Sequence, residues 1–272
     1  MNSIVLLISL TATPALADNK TASFNSSPSC KIGTGQVAIP SGDQMGFNLL
    51  TPVSKRELLA GTFAPSNLVD IPWEYISPEQ LAKIKPVNQP EMMRSDALRS
   101  LEIMLDEARR SGVEILVHSA YRSFGTQCLV FNNKLKIERS SLPHLHESDA
   151  IGSVNKRSAF PGQSEHQLGA VVDLVTNIPG LGYKLEWQLD TTPAYAWLKA
   201  NAHQYGYVLS YPRGAQTMSD PHPQTGYIYE PWHWRYIGEQ DAQNYNRCLK
   251  RMSMIIQDYM RVKKQDKNFY CS

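Results

Sequence analysis

Two pairs of side chains suited to metal binding, separated by about sixty residues, restrict the folds open to this chain more than any other feature. The first pair is His166 and Asp173, and the second is Glu230 and His233. Catalytic zinc usually takes three nitrogen or oxygen ligands from a protein, while an unligated carboxylate beside it accepts a proton from water. The pattern predicts a fold that gathers His166, Asp173 and His233 around one Zn²⁺, with Glu230 next to it.

Composition places the chain among folded proteins with one main domain. It has 272 residues, of which 42% are hydrophobic, and it lacks long charged or low-complexity blocks. Lys and Arg total 27 against 25 for Asp and Glu, so no strong overall field attracts nucleic acid or an anionic membrane. We expect no nucleic-acid partner, and recognition through a local site.

The N-terminus has the features of an export signal. Residues 4–10 are mostly apolar, and Ala15-Leu16-Ala17 has the small-x-small form of a signal-peptidase site. We predict a signal peptide over residues 1–17 and no stable membrane span after its cleavage. An uncleaved anchor or a misplaced start is the alternative, because no Lys or Arg precedes the apolar stretch.

Four cysteines occur in this chain with a predicted export signal: Cys30, Cys128, Cys248 and Cys271. An oxidising compartment would allow one or two disulfides among them. Four cysteines permit three pairings, and the sequence does not choose between them. None has a Cys-x-x-Cys spacing, which disfavours a structural zinc site or a redox motif.

The rest of the chain divides into three parts. Residues 18–56 are rich in Ser, Thr, Gly, Asn and Pro without a sustained period, which predicts an N-terminal arm or linker. Residues 57–238 form the predicted main domain, and residues 239–272 a C-terminal helix and tail.

Hydrophobic periodicity predicts the elements of the folded part. In chain order they are a helix over 91–111, a strand over 113–119, a helix from about 125 through 135, a polar loop over 140–163, a strand over 170–175, a helix over 194–205, strands over 207–211, 227–230 and 234–237, and a final helix over 239–262.

These elements place the candidate ligands. His166 falls in a turn before a strand, and Asp173 falls within that strand. In a regular strand Glu230 and His233 would point to opposite faces, so both can reach one ion only if the backbone turns at Pro231-Trp232.

Three separated motifs occur in one order along the chain. They are Ser119-Ala120-Tyr121-Arg122-Ser123, then Ser164-Glu165-His166-Gln167-Leu168-Gly169 followed by Asp173, then Glu230-Pro231-Trp232-His233-Trp234-Arg235-Tyr236. Together they resemble the VanY-type D-alanyl-D-alanine carboxypeptidase family, over residues 65–238. The resemblance implies the hedgehog/DD-peptidase fold, an α+β domain with a small antiparallel sheet and flanking helices, and makes 57–238 a zinc carboxypeptidase domain.

The resemblance also implies a role for each residue that matches a family position. His166, Asp173 and His233 match the ligands of one Zn²⁺ per chain, and Glu230 matches the catalytic base. Zinc chemistry suits these roles, because the ion acidifies water and the carboxylate can then take up its proton.

Three further residues match positions that contact the substrate. Arg122 matches the arginine that binds the free C-terminal carboxylate of a peptide, which a guanidinium can hold through two parallel hydrogen bonds. Ser164 matches a serine near the scissile bond, and Gln127 matches a polar residue that faces the cleft.

The function implied is removal of the C-terminal D-alanine from peptidoglycan stem peptides, in the periplasm or cell envelope of a bacterium. An LD-carboxypeptidase that trims tetrapeptide stems is one alternative, and a non-catalytic zinc module that grips peptidoglycan is another. Glu230 speaks against the module, because a purely binding site needs no free base. Arg122 speaks against an endopeptidase, because it suits a free chain end.

Overall fold

The computed structural model describes residues 30–36, 48–214 and 217–271. The predicted signal peptide, 1–17, and much of the predicted arm lie outside these ranges. The α-helices are α1 Pro78–Ile84, α2 Ser95–Arg110, α3 Phe124–Ser141, α4 Glu147–Arg157, α5 Pro193–Asn201, α6 Glu239–Met252 and α7 Ile256–Gln265. The strands are β1 Lys31–Ile32, β2 Gly35–Gln36, β3 Leu68–Asp70, β4 Met92–Arg94, β5 Leu116–Ser119, β6 Val171–Val175, β7 Tyr207–Leu209 and β8 His233–Tyr236.

Short 3₁₀ helices fill several of the connections between these elements. They span Trp73–Tyr75, Lys85–Val87, Glu165–Leu168, Trp187–Thr191 and Ala202–Tyr205. Among the helices that the structure describes, none has both the length and the apolar character required to cross a membrane.

A four-stranded antiparallel sheet of order β5-β6-β8-β7 forms the centre of the domain. Every residue of β6 is buried, as its near-continuous apolar run indicates. Asp173 is the polar exception, and its neighbours in register are Ser119 on β5 and His233 on β8. The predicted α+β fold with a small antiparallel sheet is therefore confirmed, and the sheet itself brings Asp173 beside His233.

Helix α2 packs its apolar stripe against this sheet. Ala97, Leu101, Met104 and Leu105 belong to one buried cluster with β6 and β8 side chains such as Val172, Leu174 and Trp234. Burial of these side chains stabilises the domain by roughly 25 cal/mol for each Å² of apolar surface removed from water. The core thus lies under the sheet strands that carry two of the candidate ligands.

The predicted start of the helix over 91–111 was wrong. Met92–Arg94 forms strand β4, which pairs antiparallel with β3, and α2 begins only at Ser95. Met93 is fully buried in β4, but its position also has the helical spacing to Ala97, so its apolar character fits either element. Pairing with β3 decides the outcome, and the local pattern does not contain that information.

The predicted loop over 140–163 was wrong in part, because helix α4 spans Glu147–Arg157. Ala150 and Val154, four residues apart, are its buried side chains. Acidic residues occupy its first turn and basic residues its last, an arrangement that complements the helix dipole. The helix carries few apolar residues, which is why periodicity did not reveal it.

Two predictions near the C-terminus also need correction. Residues 227–230 are not a strand: the Ile228 N–H donates to the Lys156 carbonyl at 3.1 Å rather than to a neighbouring strand. The helix over 239–262 is two helices, α6 and α7, separated at Ser253, which has a left-handed backbone with φ of 51°. The helices over 125–135 and 194–205 and the strand over 170–175 are confirmed within a few residues.

Part of the predicted arm packs on the domain, and both disulfides tie distant segments to it. Val53 is fully buried and belongs to a cluster with Leu168 and Ala170. The cysteines pair as Cys30 with Cys128 and Cys248 with Cys271, which resolves the choice that the sequence left open.

Candidate metal centre and cleft

The structure brings His166, Asp173 and His233 together. One ligand atom from each residue can be chosen so that all three atoms lie within 4.8 Å of one another, and all three side chains are buried. His166 comes from the 3₁₀ helix Glu165–Leu168, Asp173 from the middle of β6, and His233 from the first position of β8.

Each histidine directs one ring nitrogen towards Asp173 and has a second partner for the other. His166 Nε2 lies 3.3 Å from Asp173 Oδ2, while its Nδ1 lies 2.6 Å from the Ala120 carbonyl oxygen. His233 Nδ1 lies 3.3 Å from Asp173 Oδ1, while its Nε2 lies 3.2 Å from Glu165 Oε2. Outer partners of this kind fix the tautomer and ring orientation of metal-binding histidines.

A fully buried ion pair supports the second histidine. Arg235 Nη1 donates to Glu165 Oε1 at 2.8 Å, and Arg235 Nη2 donates to the carbonyl oxygens of Leu49 and Thr51 at 2.9 and 2.6 Å. Burial alone would raise the pKa of Glu165, but Arg235 and His233 together lower it to about 2. Sequence reasoning missed both residues as functional, although each lies beside a ligand inside a recognised motif.

The chemistry of the three side chains fits a divalent cation. Asp173 Oδ1 is buried and accepts no well-formed hydrogen bond from the described residues, so it has lone pairs to offer. Burial would raise the pKa of Asp173, yet His166 and His233 hold it well below its usual range. Burial lowers the pKa of His166, which favours the neutral imidazole. A carboxylate and imidazole nitrogens form a typical catalytic zinc set.

Glu230 lies beside this group without joining it. Pro231-Trp232 forms the turn that the sequence required, and the His233 N–H donates to the Glu230 carbonyl at 3.2 Å. The turn leaves Glu230 Oε2 3.4 Å from His233 Nδ1, with 13% of the side chain exposed. Burial raises the pKa of this carboxyl to about 7, although His233 opposes the shift. Such a carboxyl can gain and lose a proton near neutral pH.

Arg122 lies on the wall of the same cleft, which has a volume of about 270 Å³. Its backbone N–H donates to the His166 carbonyl at 3.2 Å, which anchors the residue to the candidate metal centre. Its Nη1 donates to Gln127 Oε1 at 2.8 Å, and its Nη2 lies 3.4 Å from Ser119 Oγ. Neither partner is an acidic side chain, so these hydrogen bonds give the guanidinium no counter-charge.

Ser164 and Gln127 occupy different positions relative to the cleft. Ser164 lines it, two residues before His166. Gln127 is buried, and its Nε2 donates to the Ala159 carbonyl at 2.5 Å while its Oε1 holds Arg122. The amide therefore orients the arginine, which is a more indirect position than the sequence suggested.

Other side chains line the cleft that sequence reasoning did not single out as functional. They include Lys134, Arg157, Leu185, Tyr211 and Tyr227. They come from loops and helices far apart along the chain, and no spacing rule connects them. Fold and site together have the arrangement of a metal-dependent hydrolase, with three protein ligands and a separate carboxylate at one cleft.

Comparison with known sequences assigns the family. A profile of the family described as VanY, D-alanyl-D-alanine carboxypeptidase, matches residues 90–239. YodJ of Bacillus subtilis (strain 168), named as a candidate carboxypeptidase, is 30% identical over 220 residues, which are 80% of this chain and 69% of YodJ. A D-alanyl-D-alanine carboxypeptidase of Enterococcus faecalis (strain ATCC 700802 / V583) is 28% identical over 164 residues, 60% of this chain and 54% of that relative.

Solved structures agree with this assignment. The LdcB LD-carboxypeptidase is 27% identical with a TM-score of 0.62, covering 82% of this chain and 93% of LdcB. The D,D-pentapeptidase VanY of a VanB-type resistance cassette, in complex with Zn(II), is 25% identical with a TM-score of 0.53, covering 78% of this chain and 98% of that chain. This chain belongs to the VanY D-alanyl-D-alanine carboxypeptidase family, and it is a metallocarboxypeptidase with the hedgehog-like peptidase fold.

Proposed function

We propose that the protein is a zinc-dependent DD-carboxypeptidase that removes the C-terminal D-alanine from peptidoglycan stem peptides. One observation carries the proposal: the three candidate ligands, the free carboxylate of Glu230 and the guanidinium of Arg122 all line one cleft. His166, Asp173 and His233 would hold one Zn²⁺ per chain. The related VanYB structure contains D-alanine-D-alanine, which supports this substrate class.

Glu230 is the proton carrier of the proposed reaction. When bound, zinc supplies a Lewis acid that polarises the scissile carbonyl and acidifies water. The Glu230 carboxylate accepts the proton of the attacking water and afterwards delivers a proton to the leaving amine of D-alanine. Its position beside the ligands, without being one of them, leaves the carboxylate available for this transfer.

Arg122 fixes the end of the substrate at which cleavage occurs. Its guanidinium binds the terminal carboxylate, and its hydrogen bond to Gln127 restrains the orientation of the guanidinium. Ser164, also on the cleft wall, contacts the peptide near the scissile bond. A carboxypeptidase is favoured over an endopeptidase, because the contact between Arg122 and a terminal carboxylate requires a free chain end.

We further propose that the protein is exported and acts in the periplasm or cell envelope. The predicted signal peptide over 1–17 motivates this location. Two disulfides support it, because such bonds persist in oxidising compartments outside the cytoplasm. Peptidoglycan, the proposed partner, lies in the same compartment.

The central experiment compares wild type with Glu230→Gln on a stem pentapeptide. The variant keeps the side-chain volume but cannot carry a proton, so release of terminal D-alanine should fall by about 10²- to 10⁴-fold while bound zinc stays at one ion per chain. Mass spectrometry of the products and metal analysis of the protein give the two readings. A Glu230→Gln protein that retains zinc and full activity excludes this mechanism.

An LD-carboxypeptidase that trims tetrapeptide stems is the second candidate. The similarity to LdcB, with a TM-score of 0.62, specifically favours it. Pentapeptide and tetrapeptide stems assayed side by side separate the two activities. A protein that binds peptidoglycan but cleaves neither stem, even with zinc bound, would instead be a non-catalytic module.

A further inference from the structure

Lys134 is a cation in the cleft that the proposed reaction does not use. It lines the cleft with Arg122 and Glu230 and is exposed to solvent. In the described part of the chain it forms no hydrogen bond and no ion pair. A lysine that is held in a substrate cleft without a partner has its three N–H donors available to a ligand.

Helix α3 sets the position of Lys134 relative to the clamp on the chain end. Gln127, Phe131 and Lys134 follow one another at helical steps of four and three residues and so lie on one face. Phe131 is buried at the centre of this face, where it packs in one cluster with Ala150 and Val154 of helix α4. Seven residues correspond to about 10 Å along a helix. Lys134 is therefore about two turns from Gln127, which holds Arg122.

The charges of Glu230 and Asp173 act on Lys134 across the cleft, but in the described residues no ion pair joins Lys134 to either carboxylate. Glu138, one turn further along α3, accepts from Arg157 Nη2 and from Ser153 Oγ, each at 2.5 Å. Inside the cleft, Glu165 is paired with Arg235. Asp173 belongs to the candidate metal centre, and Glu230 lies beside that centre, with its Oε2 3.4 Å from His233 Nδ1. No protein carboxylate in the described residues is left as a partner for Lys134 at contact distance.

The number of cations exceeds what one terminal carboxylate requires. Arg122 suffices for that carboxylate, since a guanidinium can satisfy both of its oxygens. Lys134, two helical turns from the Gln127 that accepts from Arg122, is placed for a second anionic group. In a carboxypeptidase substrate such a group must lie on the N-terminal side of the scissile bond, because only one D-alanine follows that bond. An extended peptide covers about 10 Å in three residues.

We propose that Lys134 is a specificity residue that binds a second carboxylate of the substrate, carried by the side chain of a residue shortly before the scissile bond. The preferred peptide is thus a diacid: one carboxylate at the chain end bound by Arg122, and one further in bound by Lys134. This inference rests on the proposed carboxypeptidase function. It specifies which charged groups the preferred substrate of that function carries.

The probes are two matched pairs of synthetic peptides, each N-acetylated and ending in D-alanyl-D-alanine. The variable residue before this end is L-glutamate or L-glutamine in the first pair, and L-2-aminoadipate or its side-chain amide in the second. Each pair differs in one charge and has nearly the same shape. The second pair reaches one methylene further, so a carboxylate that is slightly too short in the first pair is still detected.

The wild-type holoenzyme should cleave the acid of at least one pair with a kcat/KM about three- to tenfold above its amide, as expected for one partly exposed charge pair. Lys134→Met should remove this preference, and Lys134→Glu should reverse it. Raising the salt concentration to about 0.5 M should narrow the wild-type ratio, because screening weakens exposed pairs.

Lys136→Met is the matched control. Lys136 lies two residues along α3 and lines a different surface hollow, so its loss should leave the acid-to-amide ratio unchanged. Zinc content and thermal unfolding of each variant show that the fold and the metal centre are intact.

The possible results distinguish failure of the specificity role of Lys134 from failure of the proposed carboxypeptidase function. If the wild type cleaves none of the four peptides, the proposed function fails and this inference fails with it. If it cleaves acid and amide equally well, or if Lys134→Met lowers all four rates by the same factor, the function stands and the specificity role of Lys134 is wrong.

Discussion

Arg235 donates a hydrogen bond to Glu165 across 2.8 Å, and neither side chain has any solvent exposure. The second oxygen of Glu165 lies 3.2 Å from His233 Nε2, so the ion pair is connected directly to a candidate metal ligand. Glu165 and Arg235 are seventy positions apart in the sequence, and each is the immediate or near neighbour of a ligand. The pair thereby links the 3₁₀ helix that carries His166 to the strand that carries His233.

Glu165→Gln is expected to weaken zinc binding and to destabilise the fold. The amide cannot stabilise the His233 N–H as a carboxylate does, and outer partners of metal-binding histidines typically contribute about 10- to 100-fold to affinity. Arg235 would also be left buried without its counter-charge, which costs about 3–5 kcal/mol. Competition with a zinc chelator measures the affinity, and urea unfolding measures the stability.

Glu57→Gln is the matched control for this prediction. Glu57 pairs with Arg261 at 2.7 Å, but these side chains are 29% and 36% exposed, whereas Glu165 and Arg235 are fully buried. Its loss should cost at most about 1 kcal/mol and leave zinc affinity unchanged. Equal losses from the two variants would contradict a special role for the buried pair.

Zinc binding should release protons. Burial would lower the pKa of His233, but Asp173 and Glu165 outweigh burial and raise it to about 10 in the metal-free protein. The ring is then protonated at neutral pH, and a metal ion must displace that proton. His166 contributes none, because its lowered pKa leaves it neutral. Zinc affinity should therefore rise about tenfold per pH unit between about pH 7.5 and 9.

Calorimetry in two buffers of different ionisation enthalpy counts these protons directly. Near pH 7 the wild type should release more than one, because Glu230, with a pKa of about 7, also loses its proton when a cation is bound nearby. Glu230→Gln should release fewer protons than the wild type, because it lacks this carboxyl. A zinc affinity that does not change with pH would show that His233 is neutral in the metal-free protein.

Arg122→Lys should impair recognition of the chain end while sparing the metal centre. An ammonium cannot form two parallel hydrogen bonds with a carboxylate, and it loses the hydrogen bond to Gln127 that orients the guanidinium. We expect kcat/KM on a stem pentapeptide to fall about 10- to 100-fold, mainly through KM, if one or two charge-assisted hydrogen bonds are lost. Zinc affinity should stay at the wild-type value, whereas a substitution that disturbed the fold would lower zinc affinity as well.

Much of the site was predictable, because its main parts stand inside short motifs. His166, Asp173, Glu230 and His233 were identified from their types and order, and the structure brings all of them to one cleft. Even the turn at Pro231-Trp232 was required by the alternation of side chains along a strand.

The residues that sequence reasoning missed act through partners far away in the chain. Arg235 reaches the carbonyl oxygens of Leu49 and Thr51, which are 186 and 184 residues before it. Lys134 stands out only once Glu138 is known to be occupied by Arg157. Strand β4 was mistaken for the start of a helix for the same reason, since only its pairing with β3 distinguishes the two. Local patterns carry periodicity, but not the identity of a distant partner.

The disulfide between Cys248 and Cys271 should stabilise the C-terminal helices without affecting catalysis. It closes a loop with a sequence separation of 23, and loop-closure entropy predicts a contribution of about 3 kcal/mol. Asn244 reinforces the same junction, because its side chain donates to Tyr259 Oη at 2.9 Å and accepts from the Cys271 N–H at 2.9 Å. The double substitution of both cysteines by alanine should lower the free energy of unfolding by that amount in urea. Neither cysteine lines the cleft, so kcat/KM of the folded variant should equal that of the wild type. A large loss of activity in a variant that is fully folded would instead show that the C-terminal helices position the site.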